Sequence, residues 1–242
     1  MRDTAAQSLR RRCFGVSAGI FAADAGKLQE AALAVASWGA TLLHFDVIDG
    51  VFAPAITGGP MFVKALAAGM ARDVHLMVDR PSRHVAAFAD AGADIITVHA
   101  EADDAAEALN LVSSASDRLQ RPILSGLALM PDTSIDSTAP LLALKPDVIF
   151  VLSLDPRNKK PPEIAPAVEK LAALAKRTAA WAPLLAFDGG VTAATIAAIG
   201  GCHPDIVVSG SAIFAAPDPA QAFQRMAAAC EGARAAARTV DA

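Results

Sequence analysis

Long hydrophobic runs are missing from this sequence. No apolar stretch reaches the roughly 20 residues needed to cross a bilayer, which excludes a helical membrane protein. A clustered basic stripe is missing too, and at a net charge of -4 the chain lacks the electrostatic footprint of a nucleic-acid binder. Cysteine is scarce. Cys13, Cys202 and Cys230 have neither metal-finger spacing nor the pattern of a disulfide framework, and a reducing cytoplasm is the compartment they fit. Arg10, Arg11 and Arg12 make the start basic, yet no apolar secretory segment follows; a transit peptide is the alternative reading of that start. Tyrosine is absent and aromatics amount to 5%, which excludes no class of function.

What is present is an apolar fraction of 54% in 242 residues, enough for a sizeable core and far from the composition of a disordered chain. Short runs rich in Val, Ile, Leu and Phe alternate with longer Ala-rich stretches of helical period. The runs predict strands at Phe14–Ala18, Leu42–Val47, Asp73–Met77, Ile95–Val98, Ile123–Leu127, Val148–Leu152, Leu184–Phe187 and Ile206–Val208. Helices are predicted between them, among others at Gly26–Trp38, Pro60–Gly69, Thr192–Ile199 and Pro219–Ala236. Continuously apolar strands suit a parallel sheet covered on both faces, and about eight βα pairs in this length favour a closed (β/α)8 TIM barrel. No Pro- or Gly-rich linker divides the chain, so a single barrel domain is expected over 14–237, with tails at 1–13 and 238–242.

In such a barrel the chemistry sits where strands end. His44 and Asp46 fall two apart at the end of the second strand, so their side chains share one face. His75 closes the third strand, and Asp188 closes the seventh, just before Gly189 and Gly190. Two imidazoles and two carboxylates at matching strand ends suit one divalent ion; the mixed N/O donor set fits Zn, Fe, Mn or Co alike. Structural histidines and helix-capping aspartates are the bland alternatives. Gly189, Gly190, Gly210 and Ser211 follow the last two strands, where backbone N–H groups of barrels commonly meet phosphate; ordinary tight turns are the alternative. His99 ends the fourth strand and either lines the site or is structural, and Asp49-Gly50 shapes the loop after the second strand.

These segments carry a resemblance. His44-Phe-Asp-Val-Ile-Asp49-Gly50, Asp73-Val-His75-Leu-Met77-Val, Ala91-Gly-Ala-Asp-Ile-Ile-Thr-Val-His99, Phe187-Asp188-Gly189-Gly190-Val191 and Val208-Ser209-Gly210-Ser211-Ala212-Ile213-Phe214 are similar, in order and spacing, to the ribulose-phosphate 3-epimerase family. The likeness spans roughly Val16 to Met226. It implies a barrel, one divalent metal, a small-molecule sugar phosphate as ligand, and inversion of C3 of a pentulose 5-phosphate, D-ribulose to D-xylulose. A homo-oligomer is expected as well. Carried over by position, His44, Asp46, His75 and Asp188 match the family's metal ligands, Asp46 and Asp188 its two acid–base residues, and Met77 a thioether lining its site.

The departures are specific. Where the family has Ser-Ile-Leu-Ser-Ala-Asp in its first strand, this chain has Gly19-Ile20-Phe21-Ala22-Ala23-Asp24, without either hydroxyl. Ile48 and Leu152 replace methionines, and Ala55 and Met130 replace asparagines. The family's mobile Pro-Gly-Phe-Gly-Gly-Gln loop is replaced by Asp155-Pro156-Arg157-Asn158-Lys159-Lys160-Pro161-Pro162. Prolines there remove backbone donors, so Arg157, Lys159 and Lys160 are the candidates to hold an anion by side-chain charge, against a solvated basic loop. The chemistry-bearing set is thus complete while the substrate-gripping set is rewritten. That combination leaves open an epimerase of another ketose phosphate, such as allulose 6-phosphate, or a barrel that binds sugar phosphate without turnover.

Overall fold

Each strand of the computed structural model pairs in parallel with the next, and the last returns to the first, closing an eight-stranded barrel. The structure describes residues 2–66, 68–158 and 160–240. In chain order the elements are α1 (Arg2–Arg12), β1 (Gly15–Gly19), α2 (Leu28–Ser37), β2 (Leu42–Ile48), α3 (Pro60–Ala65), β3 (Ala71–Met77), α4 (Ser82–Asp90) and β4 (Ile95–His99). Then follow α5 (Ala105–Leu119), β5 (Leu124–Leu129), α6 (Ala139–Leu142), β6 (Val148–Leu152), α7 (Ile164–Arg177), β7 (Leu184–Asp188), α8 (Ile196–Gly200), β8 (Ile206–Ser209), α9 (Ser211–Phe214) and α10 (Pro219–Val240). All eight expected strands are present. Among the described residues no helix is long and apolar enough to cross a membrane.

The period of two within each strand divides the apolar residues between two cores. Leu43, Phe45 and Val47 of β2 point outward into the layer that receives the helices, together with Val74 and Leu76 of β3. Leu42, Ala71, Ile95, Leu124, Val148, Phe150, Leu184 and Ile206 point inward and fill the barrel. This inner core is apolar at the end where strands begin, whereas its inward positions at the other end include His44, Asp46, Asp73, His75 and Asp188. A closed barrel removes both sheet edges, so backbone pairing is complete and side chains at the strand ends are free to serve chemistry.

The stretch expected as an N-terminal tail contains a helix. Residues 2–12 form α1, which caps the end of the barrel where the strands begin. Leu9 and Cys13 are buried and belong to the inner core. The Arg10 guanidinium donates to the carbonyls of Asp147, at 3.2 Å, and Ala182, at 2.6 Å. Burial pushes the Cys13 thiol up to about 12, so it is an inert core residue. The same end is tied by a repeated device: Asp94, Asp147 and Asp205 each accept from a backbone N–H near the start of β3, β5 and β7, on Arg72, Ser125 and Leu185, at 2.9, 3.0 and 2.9 Å. At the other terminus α10 runs to Val240, past the expected barrel limit at 237.

Element boundaries differ where side chains compete for the backbone. The helix expected from Gly26 starts with a 3-10 turn at Ala25–Lys27, because the Asp24 carboxylate accepts from Gly26 N–H. The helix expected at Thr192–Ile199 is shortened to α8, since the Thr192 hydroxyl accepts from Ala194 and Thr195 N–H and holds that stretch as a turn. Replacing Leu9 with Ala is expected to lower stability by about 2–3 kcal/mol, the usual cost of a buried Leu truncation at the edge of a core. Urea unfolding monitored by Trp fluorescence checks this, and ligand binding at the opposite end should be unchanged in the folded fraction.

Candidate active site

The β2–β3 register builds the site. It sets His44 beside Asp73 and Asp46 beside His75, so two rungs of this one pairing carry four inward polar residues. Asp188 reaches the same place from the end of β7, opposite Leu152 of β6. His44 and His75 are fully buried, while Asp46 and Asp188 are partly open, with side chains 34% and 16% exposed. One ligand atom from each of the four residues lies within 4.8 Å of the other three.

His44 Nε2 is 3.1 Å from Asp46 Oδ1 and 4.0 Å from Asp188 Oδ2. His75 Nδ1 is 3.4 Å from Asp46 Oδ1 and 3.5 Å from Asp188 Oδ2, yet aligned for a hydrogen bond with neither. Burial opposes charge on both imidazoles, but Asp73 and Asp46 carry the His44 value well above the ordinary range, and Asp188 and Asp46 raise His75. Asp46 is likewise disfavoured as an anion by burial, and the two imidazoles overcome this and hold its carboxyl far below the usual range. Both histidines face carboxylates on one side. Such a cluster is neutralised either by protons on the imidazoles or by a cation.

The far nitrogens are engaged as well. His44 Nδ1 donates to Asp73 Oδ2 at 2.7 Å, and Asp73 is itself fully buried and receives the Ser17 hydroxyl at 3.1 Å. His75 Nε2 lies 2.8 Å from His99 Nε2, and His99 Nδ1 donates to Glu101 Oε2 at 2.9 Å. Glu101 also accepts the Met130 N–H at 3.0 Å and the Thr133 hydroxyl. The rings of Phe150 and His99 stack on His75 with centroids 5.8 and 4.9 Å away. Sequence reasoning passed over Ser17, Asp73 and Glu101; the i, i+2 spacing of Asp73 to His75 and of His99 to Glu101 was the available signal.

Above the cluster is a cavity of about 340 Å3 lined by Phe21, Ala22, Asp46, Ile48, Thr57, Met77, Leu152, Leu154, Pro156, Asp188 and Gly189. Met77 is therefore a wall of the site. Thr57 locks the rim, donating its hydroxyl to the Asp46 carbonyl at 2.5 Å and accepting the Ile48 N–H at 2.9 Å. His99 does not line the cavity; it is fully buried behind His75. Asp49 holds the loop after β2 by accepting N–H groups of Val51, Phe52 and Asp79.

Gly189 and Gly190 have φ of +91° and +60°, conformations that favour glycine, and a Cβ on Gly190 would meet Pro162 at 2.5 Å. Gly210 stands beside Ala22 and Gly19 at the start of the short α9, and Ser211 is exposed on it. The loop after β6 is arranged differently from expectation. Arg157 turns back on Asp155, donating from Nε at 2.9 Å and from Nη2 at 2.8 Å, so its charge is satisfied within the loop. Lys160 is exposed, and Lys159 lies outside the described residues. In this arrangement local bidentate pairing with Asp155 competes with any reach of Arg157 toward the mouth.

A closed barrel with imidazoles and carboxylates gathered at its C-terminal mouth is a scaffold of the enzyme type. Comparison with known proteins narrows this. The ribulose-phosphate 3 epimerase family matches residues 15–214, and the chain belongs to that family of isomerases. It is similar to the ribulose-5-phosphate-3-epimerase, chloroplastic, of Arabidopsis thaliana, 33% identical over 213 residues, covering 86% of this chain and 74% of that protein. The ribulose-phosphate 3-epimerase of Mycobacterium leprae is 34% identical over 213 residues, 86% of this chain and 91% of that one. Among solved structures, KGPDC from Streptococcus mutans shares the fold at a TM-score of 0.67 with 14% identity, covering 91% of this chain and 98% of that chain.

The buried network gives a testable acid response. Burial would raise the Glu101 carboxyl, but the His99, Thr133 and Met130 hydrogen bonds outweigh it and hold the value at about 2 against an ordinary 4.5. A value lowered in the folded state stabilises the fold above the ordinary value, and that stabilisation is lost as pH falls from about 4.5 toward 2. The loss amounts to about 3 kcal/mol. Urea unfolding between pH 6 and 3 should show a steeper decline for the wild-type protein than for Glu101→Gln.

Proposed function

We propose that this protein is a metal-dependent 3-epimerase of a ketose phosphate, interconverting D-ribulose 5-phosphate and D-xylulose 5-phosphate. The observation that carries the reading is the cluster of His44, Asp46, His75 and Asp188, whose ligand atoms lie within 4.8 Å of one another at the base of an open cavity. A metal fits these residues: His75 Nδ1 is buried without a hydrogen-bond partner, and two carboxylates beside two imidazoles form a donor set that suits Zn, Fe, Mn or Co. When bound, the ion supplies Lewis-acid stabilisation of the negative charge that develops on the substrate's oxygens.

The protein's own groups move the protons. One of Asp46 and Asp188, as carboxylate, takes the C3 proton of the ketose, and the electrons of that bond pass into an enediolate spanning C2 and C3. The other, as carboxylic acid, delivers a proton to the opposite face of C3, and the configuration there inverts. The two acids come from non-adjacent strands, which suits attack on two faces of one carbon. Ile48, Met77 and Leu152 make the wall apolar and keep water from intercepting the enediolate. Backbone N–H groups around Gly189, Gly190, Gly210 and Ser211 are the groups assigned to the substrate's phosphate.

A second reading, an epimerase of a longer ketose phosphate such as allulose 6-phosphate, is favoured by the wall itself. Ala22 brings no hydroxyl, and Phe21, Leu154 and Pro156 present carbon to the substrate. Deuterium wash-in at C3 from heavy water, with metal supplied, separates the readings. Exchange into ribulose 5-phosphate is expected, with Asp46→Asn and Asp188→Asn each lowering it about 10²–10⁴-fold. Faster exchange into a hexulose 6-phosphate selects the second reading, and no exchange into any ketose phosphate leaves a barrel that binds without turnover.

Metal binding has a predicted pH dependence. His44 and His75 carry raised values, so protons compete with the ion and affinity should fall as pH falls. Calorimetric titration with zinc in buffers of different ionisation enthalpy should show proton release, increasing toward lower pH across the range where the imidazoles become charged.

A further inference from the structure

The two histidines of the cluster are backed unequally. Behind His44 stands a buried carboxylate in direct contact, Asp73. Behind His75 stands another imidazole, His99, and only then a carboxylate, Glu101. His99 is fully buried and does not touch the cavity, so neither substrate binding nor solvent contact accounts for it. Its environment is built on all sides. Phe52 packs on one part of its ring at 4.9 Å between centroids, His75 stacks at 4.9 Å and 20°, and Glu101 takes its Nδ1 proton.

From these contacts the proton positions follow in one direction only. Glu101 Oε2 is an acceptor, so His99 carries its proton on Nδ1. In the neutral ring its Nε2 then presents a lone pair. That lone pair, 2.8 Å from His75 Nε2, requires the His75 proton to be on Nε2. The bare Nδ1 of His75 is left facing Asp46 and Asp188. The chain continues beyond Glu101 into the loop after β5, through the Met130 N–H and the Thr133 hydroxyl. Lys170 of α7 fixes that loop in turn, donating to the carbonyls of Met130, Pro131 and Thr133 at 2.8, 2.5 and 2.8 Å.

We propose that His99 and Glu101 are positioning residues that select which nitrogen of His75 faces the metal, through an imidazole-to-imidazole relay anchored on the loop after β5. The inference rests on the metal reading of the cluster. It assigns a role to a residue that touches neither substrate nor ion. Partners of ligating histidines of this kind fix ring orientation and tautomer, and their loss weakens metal affinity about 10–100-fold.

Ring-nitrogen NMR of histidine-labelled protein, free of metal and at a pH where the imidazoles are neutral, tests the relay directly. The wild-type protein is expected to show His75 protonated on Nε2 and His99 on Nδ1. His75 found protonated on Nδ1 overturns the proposal. In parallel, zinc dissociation constants are compared for the wild type, His99→Phe and His99→Gln. Phe keeps a stacking ring and removes the acceptor, so its zinc affinity should drop about 10–100-fold, while Gln, which keeps an acceptor, should recover a large part of the loss. Equal zinc affinity in the wild type and in folded His99→Phe overturns the proposal, because packing alone would then explain His99. A wild-type protein that binds no metal yet holds the Nε2–H tautomer of His75 overturns the metal reading and upholds the relay.

Discussion

Two imidazoles, His44 and His75, sit fully buried between β2 and β3, each held by a hydrogen bond from the nitrogen that points away from Asp46 and Asp188. A buried polar ring with an unmet donor is costly, so these far-side partners dictate how the rings stand. Asp73 receives one ring, with Ser17 closing its far side. His99 and Glu101 receive the other. The near-side nitrogens are thereby left to converge, and the candidate metal-binding arrangement at the barrel mouth follows from that convergence.

The barrel makes this affordable in structural terms because its interior changes character along its axis. Where the strands begin, Leu42, Ala71, Ile95, Ile206 and the capping Leu9 fill the interior with carbon. Toward the strand ends, Phe150 forms an apolar floor under His75, and the polar residues stand above it. Asp94, Asp147 and Asp205 tie the opposite end through backbone hydrogen bonds, so stability and chemistry occupy different ends of one core. The rewritten loop after β6 adds to this separation. Arg157 is folded onto Asp155, and the loop lends Leu154 and Pro156 to the cavity wall.

Much of this was legible in the sequence. Eight apolar runs at barrel spacing, together with the i, i+2 pair His44 and Asp46, identify both the fold and the strand ends that matter, because side-chain alternation in a strand is local. The positions of His75 and Asp188 follow from the same rule. Residues 2–12 were not legible as a capping helix: the burial of Leu9 depends on the open bottom of a barrel that exists only once all strands have closed. The pairing of Arg157 with Asp155 was not legible either: charge near a site is visible in sequence, whereas that pairing is a matter of side-chain geometry.

The sequence by itself determined which residues alternate inward, which strand ends carry titratable groups, and to which family the order of motifs is similar. Tertiary structure alone decided which atoms of those groups meet. The β2–β3 register placed Asp46 beside His75, and β7 brought Asp188 to both. It also decided that His99 stands behind His75 and not in the cavity. Proton position on an imidazole is set by what touches its other nitrogen, and those contacts join strands far apart in the chain, a relation no local pattern records.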